Sequence, residues 1–193
     1  CVLLFMAEGA PGIARATAEG IDEIVGRRTE CTKVESTLIE EWFNDLVWGP
    51  EKITAEDERI RTTRNVNRTT EISGDWSSIN DIYEAAIGRI RNEIPDLTIL
   101  GGHSSHSYIN GTNMYFNYFY DLVDCGPEEE VTKYYLPIIS IICEETLRHG
   151  GSIVHHHGIG KARAPWVRDE YGSSYHILET LKRAFDPVGI MNK

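Results

Sequence analysis

Three consecutive histidines, His155, His156 and His157, stand between the pair Gly150-Gly151 and the run Gly158-Ile159-Gly160-Lys161. Imidazole is the side chain whose ordinary pKa lies nearest neutrality, so a triplet on a glycine-bracketed segment points to acid/base or ligand chemistry. In a regular strand His155 and His157 would share one side and His156 the other. Either the glycines twist the segment or one histidine is structural. His103 and His106 have the H-x-x-H spacing of a metal pair, but no third ligand follows at a usual interval, and they read as structural. Arg59, Arg61, Arg64 and Arg68, with Lys52, fall in residues 51–75, which show no clean hydrophobic period and are expected to form a loop. If that loop folds over a pocket, it is the place to grip a phosphate or carboxylate in bidentate fashion.

The elements that must position these groups follow from periodicity. Residues 2–6 form a short apolar run expected to be a buried strand. Pro11 opens a helix to about Gly26, residues 32–35 suggest a second strand, and Ser36 starts a helix through Trp48, stopped by Gly49-Pro50. Ile79, Ile82, Tyr83, Ala86, Ile87, Ile90 and Ile94 lie on one stripe of a helix. A strand starts at Leu97, Asn110-Gly111 marks a hairpin turn, and residues 112–122 form the next strand. There Met114, Phe116, Tyr118 and Tyr120 share one face, and Tyr115, Asn117, Phe119 and Asp121 the other, which suits a core on one side and a pocket on the other. Pro127 and the acids after it open a long helix that Pro137 should bend and Gly150-Gly151 should end. The histidine segment is then a short strand running into a loop, and a last helix closes at Asp186-Pro187. The economical assembly is an α+β domain, a ferredoxin-like antiparallel sheet with helices on one face, followed by a C-terminal helical tail.

The 193 residues suit one domain, and their net charge of −11 argues against nucleic acid or an anionic membrane surface as the main partner. No apolar run approaches the roughly 20 residues of a membrane span. Cys1, Cys31, Cys125 and Cys143 include no C-x-x-C pair, which excludes a zinc ribbon and suits buried thiols in a reducing, cytoplasmic setting. The chain opens at Cys1 inside an apolar run with no initiator Met, as expected of a segment of a longer polypeptide.

The C-terminal third resembles a known family. Gly-Gly-Ser-Ile-x-His-His-His-Gly-Ile-Gly-Lys over residues 150–161, then Trp166 and the tail Asp186-Pro-x-Gly-Ile-Met-Asn192, are similar to the C-terminal, substrate-binding domain of FAD-linked oxidases, and most similar to its alkyldihydroxyacetonephosphate synthase branch. The strand Gly111-Thr-Asn-Met-Tyr115-Phe matches that branch, and Thr70-Glu71 with Trp76 resembles its Glu-Thr…Trp segment. The resemblance implies that residues 1–193 are a substrate or cap domain whose FAD-binding domain lies N-terminal to Cys1. It implies Tyr115, His156 and His157 as catalytic groups, and His155 and Asn192 near the cofactor. Arg64, Arg68 and Lys161 are the candidates for substrate contact. It further implies a small-molecule or lipid-like substrate, a possible homodimer, and ether-lipid synthesis by acyl-to-alkyl exchange on dihydroxyacetone phosphate. The D-lactate and D-2-hydroxyglutarate dehydrogenase branch supplies metal ligands from a strand histidine and a Glu-His pair; here Tyr115 and His156 stand at those places, so no metal is expected. An FAD-dependent 2-hydroxyacid oxidoreductase, or a free-standing ferredoxin-like binding module, is the alternative.

Overall fold

The computed structural model describes residues 2–46, 49–126 and 128–191, with no side chain for Ser36. The chain divides into two compact units, residues 1–57 and 58–193. In the first, Pro11 sits at the start of α1 (Pro11–Gly26), and α2 follows at Ser36–Asp45. Residues 2–6 and 32–35 are irregular rather than strands, since neither finds a partner strand. The α2 helix stops before Trp48, which lies outside the described residues, as does Pro127. Among the described residues neither α1 nor α2 has a buried one, and Ile13, Ile24, Leu38, Trp42, Phe43 and Leu46 are exposed.

The expected loop over residues 51–75 is a correction. Its first half is α3 (Pro50–Thr63), half of whose residues are charged, so no apolar stripe betrays it. Its ends carry the usual marks nonetheless: Pro at the first position, Glu51 in the first turn and Arg61 in the last. The second half is β1 (Asn65–Asp75), whose β-branched Val66, Thr69, Thr70 and Ile72 suit a pleated surface.

The second unit continues with α4 (Ile79–Glu93), β2 (Leu97–His103) and β3 (Gly111–Asp121). A π-helical turn at Val131–Tyr135 leads into α5 (Leu136–Arg148). That turn is the form the bend takes. Pro137 has no N–H to give, and its ring crowds the carbonyl four residues back, so the backbone widens and the Leu136 N–H reaches Val131. The sheet runs β1-β3-β2, antiparallel throughout. On the free edge of β1, Ser73 and Ser152 exchange both backbone hydrogen bonds, at 3.0 and 2.8 Å. A fourth strand is thus present as a single antiparallel bridge. The β-α-β-β-α-β order with neighbours 4-1-3-2 is ferredoxin-like.

Register decides which residues face what. Val66 lies opposite Tyr120, Thr70 opposite Phe116 and Ile72 opposite Met114, and this face carries α4 and α5. Ile72, Ile82, Ile90, Phe116, Tyr118, Tyr120, Ile138 and Ile142 are fully buried there. Glu71 lies opposite Tyr115 and Thr69 opposite Asn117 on the other face. After α5 come α6 (Gly160–Arg163), α7 (Val167–Tyr171) and α8 (Tyr175–Phe185), which form the expected helical tail. Among the described residues no helix is long and apolar enough to cross a membrane. Cys125 and Cys143 are buried thiols, whereas Cys31 is exposed.

Candidate active site

The site forms where the fourth strand gives out. Gly151 lies so close to β1 that a Cβ there would sit 2.8 Å from the Ser73 carbonyl oxygen, so only glycine lets the chain join the edge. Beyond Ser152 the chain leaves the sheet, and Gly150, Gly158 and Gly160 all take positive φ angles (73°, 75° and 57°). The histidine segment is therefore a loop, not a strand, and all three imidazoles reach one cluster.

Glu71 is the centre of that cluster. It projects from β1 on the face away from the core, yet is fully buried because the loop and β3 close over it. Oε1 accepts from His155 Nδ1 at 2.8 Å and Asn113 Nδ2 at 3.2 Å, with His156 Nδ1 in ion-pair range at 2.9 Å. Oε2 accepts the backbone N–H groups of His155 at 3.3 Å and His156 at 3.2 Å. Burial alone would push this carboxyl up, but the His156 N–H, Asn113 and His155 more than offset it and hold the pKa below its usual value. An ionised carboxylate only accepts, so His155 Nδ1 carries a proton and its Nε2 presents a lone pair. His155 Nε2 accepts from the Tyr108 hydroxyl at 2.8 Å, the Nδ1 atoms of His155 and His156 lie 2.9 Å apart, and His156 Nε2 is 2.9 Å from the Tyr115 hydroxyl. Glu71, His156 and Tyr115 thus stand in line, the carboxylate beside the imidazole and the imidazole facing the phenol.

Burial, reinforced by the charge on Glu71, pushes the Tyr115 phenol up, so it is protonated at rest. Its ring stacks on His103 at 4.7 Å. His157 packs edge-on to Tyr115 at 5.3 Å, and among the described residues its nitrogens bond nothing. Desolvation lowers its pKa, with the His156, Arg163 and His155 charges adding and Glu71 opposing. Behind the loop, Arg163 is buried, with Nη1 on the Gly158 carbonyl at 2.9 Å and Nη2 on the Glu71 carbonyl at 3.3 Å. It ties the loop's exit to the edge of β1.

The structure gathers Tyr115, His155, His156 and His157, but not the arginines. Arg64 ends α3 with its guanidinium on the Leu122 and Cys125 carbonyls (2.6–3.2 Å), fastening the end of β3. Arg68 lies on the core face of β1, across the sheet from Glu71, and pairs with Glu130 at 3.1 Å. Lys161 is exposed on α6, and Asn192 lies outside the described residues. His106, with Nδ1 2.9 Å from the Ser105 hydroxyl and 3.3 Å from the Asn113 amide, also brings its ring to 5.2 Å from His155 and 5.1 Å from His156. Ligand atoms of Glu71, His156 and His157, and of His106, His155 and His156, lie within 4.8 Å of one another.

Over residues 1–193 the chain matches the family model for the C-terminal domain of FAD-linked oxidases. The chain belongs to that family. It is 61% identical to the uncharacterized FAD-linked oxidoreductase YgcU of Escherichia coli over 195 aligned positions, covering all of this chain and 40% of that protein. It is 32% identical to the alkyldihydroxyacetonephosphate synthase of Trypanosoma brucei brucei over 94 residues, 48% of this chain and 15% of that enzyme. A solved alkyldihydroxyacetonephosphate synthase shares the fold, with a TM-score of 0.54 at 16% identity, over 93% of this chain and 29% of that one. FAD is the cofactor of the family, and the site suits its reacting end. Tyr115, stacked on His103, and the unbonded His157 present a flat, polar, aromatic-edged wall to a heteroaromatic ring.

Proposed function

We propose that this chain is the substrate-side domain of an FAD-dependent oxidoreductase acting on an alcohol carbon, with its FAD-binding domain N-terminal to Cys1. One observation carries the reading: fully buried Glu71 accepts the His156 backbone N–H and lies 2.9 Å from its Nδ1, so that Nε2 meets the Tyr115 hydroxyl at 2.9 Å. When bound, FAD supplies the two-electron acceptor for hydride from the carbinol carbon. The residues of this chain manage the proton. A substrate hydroxyl docked on the Tyr115 oxygen gives up its proton to that oxygen as the phenol proton passes to His156 Nε2. The imidazolium so formed rests against the Glu71 carboxylate, whose negative charge stabilises it. Tyr115, held protonated at rest, passes the proton on rather than storing a phenolate. His157 faces the reacting group and helps exclude water.

Alkyl exchange on a ketone phosphate is the second reading, favoured by the 94-residue similarity to the trypanosomal synthase. It requires a cation for the phosphate, and the two arginines that seemed suited to that role are committed to Leu122, Cys125 and Glu130. The test is anaerobic mixing of the full-length flavoprotein with a panel of alcohols. Bleaching of the flavin absorbance is expected, and Tyr115→Phe should slow it about 10²–10⁴-fold with flavin retained. Equal rates for Tyr115→Phe and wild type would remove the relay from the mechanism.

A further inference from the structure

A cavity of about 300 Å³ opens beside the histidine loop, lined by Asp75, Tyr108, Asn110, Ser152 and His155 among others. It meets the catalytic cluster at His155, whose Nε2 accepts from Tyr108 on the cavity wall. Glycines at 74, 111, 150 and 151 leave its floor bare of side chains. Two of these are required by packing: a Cβ at Gly111 would fall 2.3 Å from the Gly74 carbonyl oxygen, and one at Gly151 2.8 Å from the Ser73 carbonyl oxygen. The space is thus built into the close approach of β1, β3 and the bridge at Ser152. The half-exposed Tyr108 ring forms one wall, its backbone carbonyl fixed by Trp76 Nε1 at 3.0 Å.

The lining includes no lysine or arginine. Its one carboxylate, on Asp75, makes no hydrogen bond or ion pair among the described residues and is exposed to whatever enters. A phosphate or carboxylate placed there would meet a like charge with nothing to neutralise it. Hydroxyl groups would instead donate to Asp75 and exchange bonds with the Asn110 amide, while C–H edges pack on Tyr108. We propose that this cavity is the specificity subsite of the enzyme, and that it takes a neutral polyhydroxylated chain or ring, an alditol or sugar, extending from the carbon held at Tyr115. The proposal deepens the oxidoreductase reading and rests on it for the position of the reacting carbon.

The test uses the full-length flavoprotein with xylitol, D-sorbitol, D-lactate and glycerol 3-phosphate as probes, by calorimetric titration and by anaerobic flavin bleaching. Xylitol or sorbitol should bind, and Asp75→Asn should weaken that binding at least tenfold with flavin content unchanged. Asp75→Lys should abolish polyol binding and raise affinity for glycerol 3-phosphate. Tight binding of D-lactate or glycerol 3-phosphate to the wild type, with no binding of the polyols, would overturn the proposal. So would polyol binding within twofold of wild type in both Asp75 variants, even if polyols bleach the flavin; the proton relay would then stand without the subsite. Polyol binding that depends on Asp75 without any bleaching would keep the subsite and sink the oxidoreductase reading.

Discussion

Replacing Glu71 by glutamine changes almost no volume but removes the charge and turns one oxygen into a donor. Four hydrogen bonds converge on the two carboxylate oxygens, from His155 Nδ1, the Asn113 amide and two backbone N–H groups, and His156 Nδ1 lies 2.9 Å from Oε1. The backbone pair cannot retreat, so the amide oxygen of glutamine must face it and the new NH2 must face the imidazoles. His155 then has to shift its proton to Nε2, and the negative charge beside His156 is lost. A charge-assisted hydrogen bond contributes about 1.5–3 kcal/mol and an unsatisfied buried donor costs about 1–3 kcal/mol. Retautomerisation relieves His155 but not Asn113, leaving an expected loss of about 2–4 kcal/mol. For a chain of this size that lowers Tm by roughly 5–15 °C. Loss of the base should slow substrate-driven flavin reduction about 10²–10⁴-fold. The assay is stopped-flow flavin bleaching of full-length Glu71→Gln beside a melting curve, with flavin absorbance confirming cofactor retention. Reduction within threefold of wild type, with Tm within about 2 °C, would refute the assignment of Glu71 as the group that holds His155 and His156 in place.

Other outcomes follow from the same contacts. Arg64→Ala removes three hydrogen bonds to the Leu122 and Cys125 carbonyls at a partly hydrated site, and should lower stability by about 1–2 kcal/mol while leaving substrate KM unchanged; a large rise in KM would return Arg64 to the substrate. With the folded pKa of His157 lowered, the unfolded chain takes up its proton first, so stability falls as pH drops below about 6.5. The lowered Glu71 pKa adds stability present above about pH 4.5 and lost as pH falls through the folded value. Melting temperatures at pH 7.5, 5.5 and 4 should therefore decline in that order, and a flat profile would contradict both shifts. Glu71 and the two Nδ1 atoms already engage one another, so a chelator should leave turnover unchanged, while added Zn2+ should inhibit by drawing on Glu71, His156 and His157. Chelator-sensitive turnover restored by metal would make the cluster a metal centre.

Much of the fold was legible because its helices and β3 carry strong periods: the isoleucine stripe of α4 and the alternation of β3 lead directly to the two faces of the sheet. What escaped was polar. The α3 helix has no apolar stripe, and β1 alternates too weakly to stand out, although its β-branched residues and the charged ends of α3 were available signals. The same blindness hid the centre of the site. Glu71 drew notice only through the Thr70-Glu71…Trp76 resemblance, with no role attached, and its partnership with His155 and His156, 84 and 85 residues away, exists only through the pairing of β1 with β3 and with Ser152. Arg64 and Arg68 misled for the converse reason. Residue type suggested anion binding, but strand parity sends Arg68 to the core face, and the end of β3 claims Arg64.

The single bridge between Ser73 and Ser152 has a consequence for solubility as well as for chemistry. An uncovered strand edge is a template for another chain, and β1 is the edge on this side of the sheet. Here its backbone groups are occupied by Ser152 and by Arg163 on the Glu71 carbonyl, both belonging to the segment that carries the histidines. The histidine loop is therefore also the guard of the sheet. Variants that loosen it should gain a tendency to self-associate along β1 as they lose activity, so aggregation and inactivation would arise from one event.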